Sequence, residues 1–215
     1  MSQPSPIVFV VDDDISVRES LELLIQQEGL CVETFTSAQE FLDRPRTFVP
    51  SCLVLDISMP GLNGLELQKR VVAERPDMPV IFVTGHGDIP TTVKAMKAGA
   101  VEFLTKPISD EALLCAIHGS LARSKALLGR DEELRSLRAR YAHLTSRERE
   151  VFGLVVTGLP NKQVGGELGI SEITVKAHRG SLMRKMAADS IAELVNMAIR
   201  LHLKRPNASS VVLNR

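Results

Sequence analysis

Few cysteines, no long apolar run and no net charge are what the 215-residue chain first shows. Its three cysteines, Cys31, Cys52 and Cys115, are too few and too scattered for a disulfide framework or a C-x-x-C metal site. Two fall in expected strands and one in an expected helix, so the reading is buried, reduced thiols. The longest apolar runs, such as residues 7–11, stop far short of the ~20 residues a membrane span needs. No basic stretch leads into an apolar one near the first residue, so no secretory signal is expected and the expected location is the cytoplasm, away from any membrane. No internal repeat or low-complexity tract is visible.

The zero net charge hides a dipole. Residues 1–120 carry 9 Lys and Arg against 17 Asp and Glu, and residues 121–215 carry 17 against 9. An acidic half joined to a basic half suggests two modules, the second meeting a polyanion.

In the first ~120 residues short apolar strands alternate with amphipathic helices. Strands are expected at 7–11, 31–34, 53–56, 80–84 and 101–104. Between them Val17, Leu21 and Leu24 fall at i, i+4 and i+7, with Gly29 as a stop. Ser37 and Glu40 have the spacing of a capping box. Residues 65–73 and 91–98 give two further helices, the second ended by Gly99. Five βα units with strands apolar throughout predict a doubly wound parallel sheet covered on both faces. A fifth helix opens at Ser109-Asp110-Glu111 and shows no stop until about Arg140, its end densely charged. It reads as a helical connector over 119–140. The Leu134, Leu137, Tyr141, Leu144 spacing fits either a helix pair or a solvated face.

From Leu144 onward there are no strands, only four short helices. Thr145 with Glu148, and Ser190 with Glu193, have capping-box spacing. Asn161 and Ser171 are candidate caps, and residues 206–215 read as a flexible tail.

Chemistry gathers where the strands stop. Asp12 and Asp13 follow the first strand, Asp56 ends the third, Thr84 ends the fourth, and Lys106-Pro107 follows the fifth. Parallel α/β sheets collect ligand-binding residues at these ends. Asp13 and Asp56 offer oxygen ligands for a hard cation such as Mg2+, and Asp12 can hold a water. Without the cation the carboxylates repel and at least one pKa rises. With it, Asp56 stays ionised and can attack phosphorus, while Lys106 and Thr84 contact the transferred group. His86, two residues after Thr84 and near the site mouth, reads at most as a neighbour of the site and not as a metal ligand.

The second half carries a helix-turn-helix layout, helices at 161–168 and 171–186 joined by Gly169-Ile170. The second helix enters the major groove in this motif. Here it holds Lys176, His178, Arg179, Arg184 and Lys185, with Ile173, Val175 and Leu182 available to dock it on the domain.

The stretch Asp56-Ile57-Ser58-Met59-Pro60-Gly61, with Thr84 and Lys106-Pro107, resembles the receiver domain of bacterial two-component response regulators. Thr84-Gly85-His86-Gly87-Asp88-Ile89-Pro90 and Lys94-Ala95-Met96-Lys97-Ala98-Gly99-Ala100 resemble the FixJ subfamily. The segments Leu144-Thr145-Ser146-Arg147-Glu148-Arg149-Glu150-Val151, Asn161-Lys162-Gln163-Val164 and Ile170-Ser171-Glu172-Ile173-Thr174-Val175-Lys176-Ala177-His178 are similar to the LuxR/NarL-type DNA-binding domain. The resemblance implies an α/β plus all-α chain. A (βα)5 flavodoxin-like receiver takes residues 1–118, a helical linker 119–140, a four-helix helix-turn-helix domain 141–205, and a tail 206–215.

The same resemblance implies Asp56 as phospho-acceptor. Asp12, Asp13, Asp56 and the Ser58 carbonyl would hold Mg2+, Thr84, Lys106 and Phe103 would sense the phosphoryl group, and Lys106-Pro107 would be cis. Lys176, Ala177, Arg179 and Gly180 would face base edges, and Asn161, Lys162, Thr174, His178 and Lys185 phosphates. The helix over 190–203 would be the dimer contact. Implied partners are a sensor histidine kinase, a two-fold double-stranded DNA site, RNA polymerase and, once phosphorylated, a second copy. The chain would not be an enzyme.

Two departures stand out. Gly165-Gly166 replaces an Ala and a longer residue in the scaffold helix, which is therefore expected to be soft, and Gly180 replaces a base-reading side chain, so readout leans on Lys176 and Arg179. Two rival readings remain. An aspartyl phosphatase requires a second Asp two residues after the nucleophile, where Ser58 stands. A DNA-binding protein with a vestigial receiver conflicts with the intact Asp13, Asp56, Thr84 and Lys106 set.

Overall fold

The computed structural model describes residues 5–85 and 88–203. The expectations for His86 and for the tail over 206–215 lie outside the described residues. The chain divides into two compact units between Arg130 and Asp131.

The first unit is a five-stranded parallel sheet in the order β2-β1-β3-β4-β5. Its strands are β1 (Ile7–Val11), β2 (Cys31–Phe35), β3 (Ser51–Asp56), β4 (Val80–Thr84) and β5 (Glu102–Thr105). Helices α1 (Ile15–Gln27), α2 (Ala38–Asp43), α3 (Gly64–Glu74) and α4 (Ile89–Lys97) connect them. One face of the sheet buries Phe9, Leu53, Leu55 and Phe82 with Leu67 and Val71 of α3. The other buries Val8, Val10, Val54, Ile81 and Val83 against Leu21, Ile25, Leu113 and Ile117. Alternate residues of each central strand serve opposite faces, which is why these strands read as unbroken apolar runs.

The edges depart from that pattern. The ends of β5, Glu102 and Thr105, are exposed, and so is Cys31 at the start of β2. The expectation of three buried thiols is therefore corrected: Cys52 is buried, whereas Cys31 and Cys115 are exposed. An edge strand has a neighbour on one side only, so apolar composition does not guarantee burial at Cys31, while Cys115 lies on α5 (Asp110–Ala142), off the face that Leu113 and Ile117 bury. Burial pushes the Cys52 thiol up to about 12.

Helix α5 (Asp110–Ala142) continues across the boundary between the units. Leu113, Ile117 and Leu121 belong to the first unit's core, where the buried Ser124 hydroxyl accepts from the Ser51 amide at 3.0 Å. Leu137 and Leu144 are buried in the second core and the Tyr141 ring lies 5.9 Å from Phe152. Of the two readings of the 134–144 stripe, packing is the observed one.

The second unit adds α6 (Ser146–Val155), α7 (Asn161–Leu168), α8 (Glu172–Met186) and α9 (Ile191–Arg200) around Val151, Phe152, Val155, Val164, Val175, Leu182, Met186 and Leu194. Gly169 ends α7 in the left-handed conformation, φ 66°, which a residue without Cβ adopts at no steric cost.

Capping differs in detail from its sequence signature. Thr145 and Glu148 form a complete box, as do Asn63 and Glu66. Ser37 and Ser190 do cap their helices, but the Glu40 and Glu193 carboxylates reach one residue further back, to the amides of Thr36 and Asp189, both at 2.7 Å. Asn161 is not a cap. Pro160 holds that position without a side-chain bond, and the Asn161 amide oxygen accepts from Arg179 at 2.9 Å.

Candidate functional site

The sheet order reverses direction between β1 and β3, the switch point where doubly wound sheets bind ligands. Val11 of β1 pairs with Leu55 of β3, so Asp12 and Asp56 each stand one residue past that pairing on adjacent strands. One carboxylate oxygen from each of Asp12, Asp13 and Asp56 lies within 4.8 Å of the others. Asp12 and Asp56 are buried, 2% and 6% exposed, whereas Asp13 faces solvent.

Several bonds hold this cluster. The Asp14 amide donates to Asp12 Oδ1 at 2.9 Å, and the Arg18 guanidinium to the Asp12 carbonyl at 2.7 Å. Asp14 caps α1, accepting from the Ser16 amide at 2.8 Å. The Lys106 ammonium lies 2.7 Å from Asp12 Oδ2 and 3.8 Å from Asp56 Oδ1. Here, then, Lys106 pairs chiefly with Asp12. The Lys106-Pro107 bond is cis, as the resemblance implies, and the Lys106 amide donates to the Thr84 carbonyl at 2.8 Å.

Asp56 Oδ1 is buried and accepts no hydrogen bond. Burial pushes this carboxyl up from its ordinary value. Lys106 pulls it down, and the charges of Asp12 and Asp13 push it up again, for a net rise. Three hard oxygen donors, one of them buried and without a hydrogen bond, fit Mg2+. A cation there would reverse the electrostatic cause of the raised pKa.

Thr84 is fully buried at the end of β4, one residue past Val83, the cross-strand partner of Asp56. Phe103 is half-buried on β5, its ring 6.3 Å from Phe82. Ser58 is exposed in the loop after β3. Sequence reasoning missed Gly64. A Cβ there would stand 2.3 Å from the Asp56 carbonyl oxygen and 2.9 Å from Ile57 Cα. Only glycine lets the start of α3 pass this close to the Asp56 backbone. The signal available was a glycine opening a helix directly after the Asn63 cap.

In the second unit α8 presents two faces. Val175, Leu182 and Met186 are buried, while Thr174, Lys176, Ala177, Gly180, Arg184 and Lys185 are exposed and His178 and Arg179 half-exposed. Ile173 departs from expectation: it is 80% exposed and docks on nothing. On α7, Lys162 is exposed and Asn161 is tied to Arg179. The Lys185 ammonium, expected on phosphate, is 2.7 Å from Glu148 Oε2, and the Ser181 hydroxyl donates to Glu148 Oε1 at 2.7 Å.

The paired glycines of α7 are not equivalent. A Cβ on Gly165 would come 2.7 Å from the Ile170 carbonyl oxygen, whereas Gly166 is exposed with nothing within 4 Å. The soft-helix expectation therefore applies to Gly166 alone, because Gly165 is where the turn crosses its helix. Gly166→Ala should stabilise the second unit by about 0.5–1 kcal/mol. Gly165→Ala should destabilise it by roughly 1–3 kcal/mol despite the same gain in helix propensity. The urea midpoints of the two variants, moving in opposite directions, check this.

Among the described residues no helix is long and apolar enough to cross a membrane. Residues 8–118 match the response regulator receiver domain family, and residues 142–198 match the bacterial regulatory proteins of the luxR family. Nodulation protein W of Bradyrhizobium diazoefficiens is 48% identical over 192 residues, 89% of this chain and 85% of that protein. The transcriptional regulatory protein FixJ of Azorhizobium caulinodans is 48% identical over 193 residues, 89% and 91% of the respective chains. The response regulator protein TodT of Pseudomonas putida is 42% identical over 201 residues, 94% and 88%. Among solved structures, the response regulator StyR superposes with a TM-score of 0.83 at 47% identity over 92% of this chain and 100% of its own. Full-length FixJ from B. japonicum gives 0.55 at 38% identity over 94% and 100%. The chain belongs to the FixJ-type response regulators, transcriptional regulators of two-component systems that join a receiver domain to a LuxR-type DNA-binding domain.

Proposed function

We propose that Asp56 accepts a phosphoryl group from the phosphohistidine of a sensor histidine kinase. The carrying observation is its buried Oδ1, which accepts no hydrogen bond, beside Asp12, Asp13 and Lys106. The carboxylate oxygen attacks phosphorus, the P–N bond breaks and the imidazole leaves, so no net hydrolysis occurs. Asp12, Asp13, Asp56 and the Ser58 carbonyl would hold Mg2+, which would supply charge neutralisation there. Lys106 offers its ammonium to the transferred group and Thr84 its hydroxyl, and Phe103 responds to the movement of Thr84. Ser58, two residues after Asp56, leaves no second acid for phosphatase turnover, so the protein is a switch and not an enzyme.

Phosphorylation favours a dimer of receivers. Ile89, Val93 and Met96, exposed at i, i+4 and i+7 on α4, support that pairing. The dimer brings two α8 helices to a two-fold DNA site in the cytoplasm, where the protein meets RNA polymerase. Ile199, exposed on α9, supports a second contact between copies there. Lys176, Ala177, Arg179 and Gly180 face the bases, and Lys162, Thr174, His178 and Lys185 the phosphates. Asn161 contributes through Arg179, whose guanidinium it holds.

Acetyl phosphate with Mg2+ should produce a shifted band on a phosphate-affinity gel and a dimer in sedimentation. EDTA added beforehand should abolish both. Labelling that persists without a divalent cation would remove the metal from the proposal.

A further inference from the structure

We propose that Ile173 reads a thymine 5-methyl group in the major groove and so sets sequence preference. The inference rests on α8 being the DNA-binding helix. Val175, Leu182 and Met186 define the inward face of α8. Ile173, Lys176, Ala177, Gly180 and Arg184 fall at i, i+3, i+4, i+7 and i+11, which places them together on the opposite face. Ile173 stands in the first turn of α8, after the Ser171 cap. In helix-turn-helix proteins the N-terminal residues of this helix are the ones that contact base edges.

Folding alone gives this isoleucine no reason to be there. It is 80% exposed, outside the core around Val175 and Leu182, and is only a middling helix former on a solvated face. On DNA its shape becomes useful. The thymine methyl is the apolar group that the major groove displays, and apolar side chains are its partners. A β-branched side chain in a helix keeps one strongly preferred χ1, so little freedom is lost when it is buried against that methyl. Ala177 and Gly180 on the same face add almost no bulk, which lets the helix approach the base edges closely.

The test uses the full chain treated with acetyl phosphate and Mg2+, and a duplex selected by it from a random pool. Each thymine of the bound site is replaced in turn by deoxyuridine, which lacks the methyl group. At one thymine per half-site the replacement should weaken wild-type binding about three- to fivefold, the worth of one buried methyl. Ile173→Ala should bind the thymine duplex correspondingly less well and no longer distinguish the two bases there. Lys176→Ala should lose affinity yet keep the distinction. The inference is overturned if Ile173→Ala discriminates thymine from deoxyuridine as wild type does, or if no thymine matters. A selection that enriches no sequence overturns the DNA-reading assignment of α8 and the inference with it.

Discussion

The Asp56→Asn chain, treated with Mg2+ and acetyl phosphate, is expected to give one unshifted band on a phosphate-affinity gel and to sediment as untreated protein does. An amide oxygen is a poor nucleophile, and the substitution removes one of the three carboxylates that could hold a cation. No neighbour can take over, because Asp12 is committed to the Lys106 ammonium at 2.7 Å and Asp13 lies exposed at the rim. A labelled Asp56→Asn chain would show that the acceptor is elsewhere. A second readout separates this from unfolding. Burial raises the Asp56 pKa, Lys106 opposes it, and Asp12 and Asp13 add to it, so keeping this carboxylate ionised above its folded pKa opposes folding in the absence of metal. Without Mg2+, then, Asp56→Asn should melt at or above the wild-type temperature. Adding Mg2+ should raise the melting temperature of wild type and leave that of the variant nearly unchanged. A variant stabilised equally by Mg2+ would place the cation away from Asp56.

Glu148→Ala carries the second large effect. This carboxylate is 4% exposed, and it holds three groups at once: the Thr145 amide, the Ser181 hydroxyl and the Lys185 ammonium. Burial pushes its pKa up, but the bonds from Lys185, Ser181 and Thr145 outweigh that and hold it at about 2. Removing it takes the partner from the Ser181 hydroxyl and breaks the α6 capping box, while the exposed Lys185 ammonium turns to water, a loss of about 1–3 kcal/mol. The chain has one tyrosine and no tryptophan, and Tyr141 packs on Phe152 in the second unit. Tyrosine fluorescence in urea therefore reports on that unit alone.

A depressed carboxylate pKa stabilises the folded state above its unfolded value, and the contribution is lost as pH falls through the folded one. The stability gap between wild type and Glu148→Gln should be widest above pH 4.5 and should close toward pH 2. A gap that stays constant across that window would show that packing, not charge, is what Glu148 contributes. DNA binding adds a consequence: a lysine held by Glu148 reaches a phosphate only by sharing its ammonium, so Lys185→Ala should weaken the fold as well as DNA affinity.

Much of this was legible in the sequence. Apolar runs ending in Asp, Asp, Thr and Lys carry the strand order's chemistry with them, because the C-terminal ends of parallel strands share one rim of the sheet. Capping signatures placed α2, α6, α8 and α9, because an N-cap is a local bond between residues three apart. What escaped were features set by close approach between distant segments. Gly64 against Asp56, Gly165 against Ile170 and Glu148 under Lys185 are invisible as spacing, since each depends on where another element lies. Ile173 failed for a related reason. Isoleucine and valine two residues apart read alike in composition, but on a helix they point to nearly opposite sides, and only the packed domain says which side is inside.

By itself, then, the order of residues determined which elements form, the class of each unit, and the set of oxygen and ammonium groups at the sheet's rim, all consequences of short-range periodicity and strand-end chemistry. The tertiary structure alone decided which carboxylate the lysine grips, which glycines are sterically required, and which face of α8 remains free for a ligand. Those outcomes depend on distances of a few ångströms between residues far apart in the chain, where steric exclusion and Coulomb energy change most steeply.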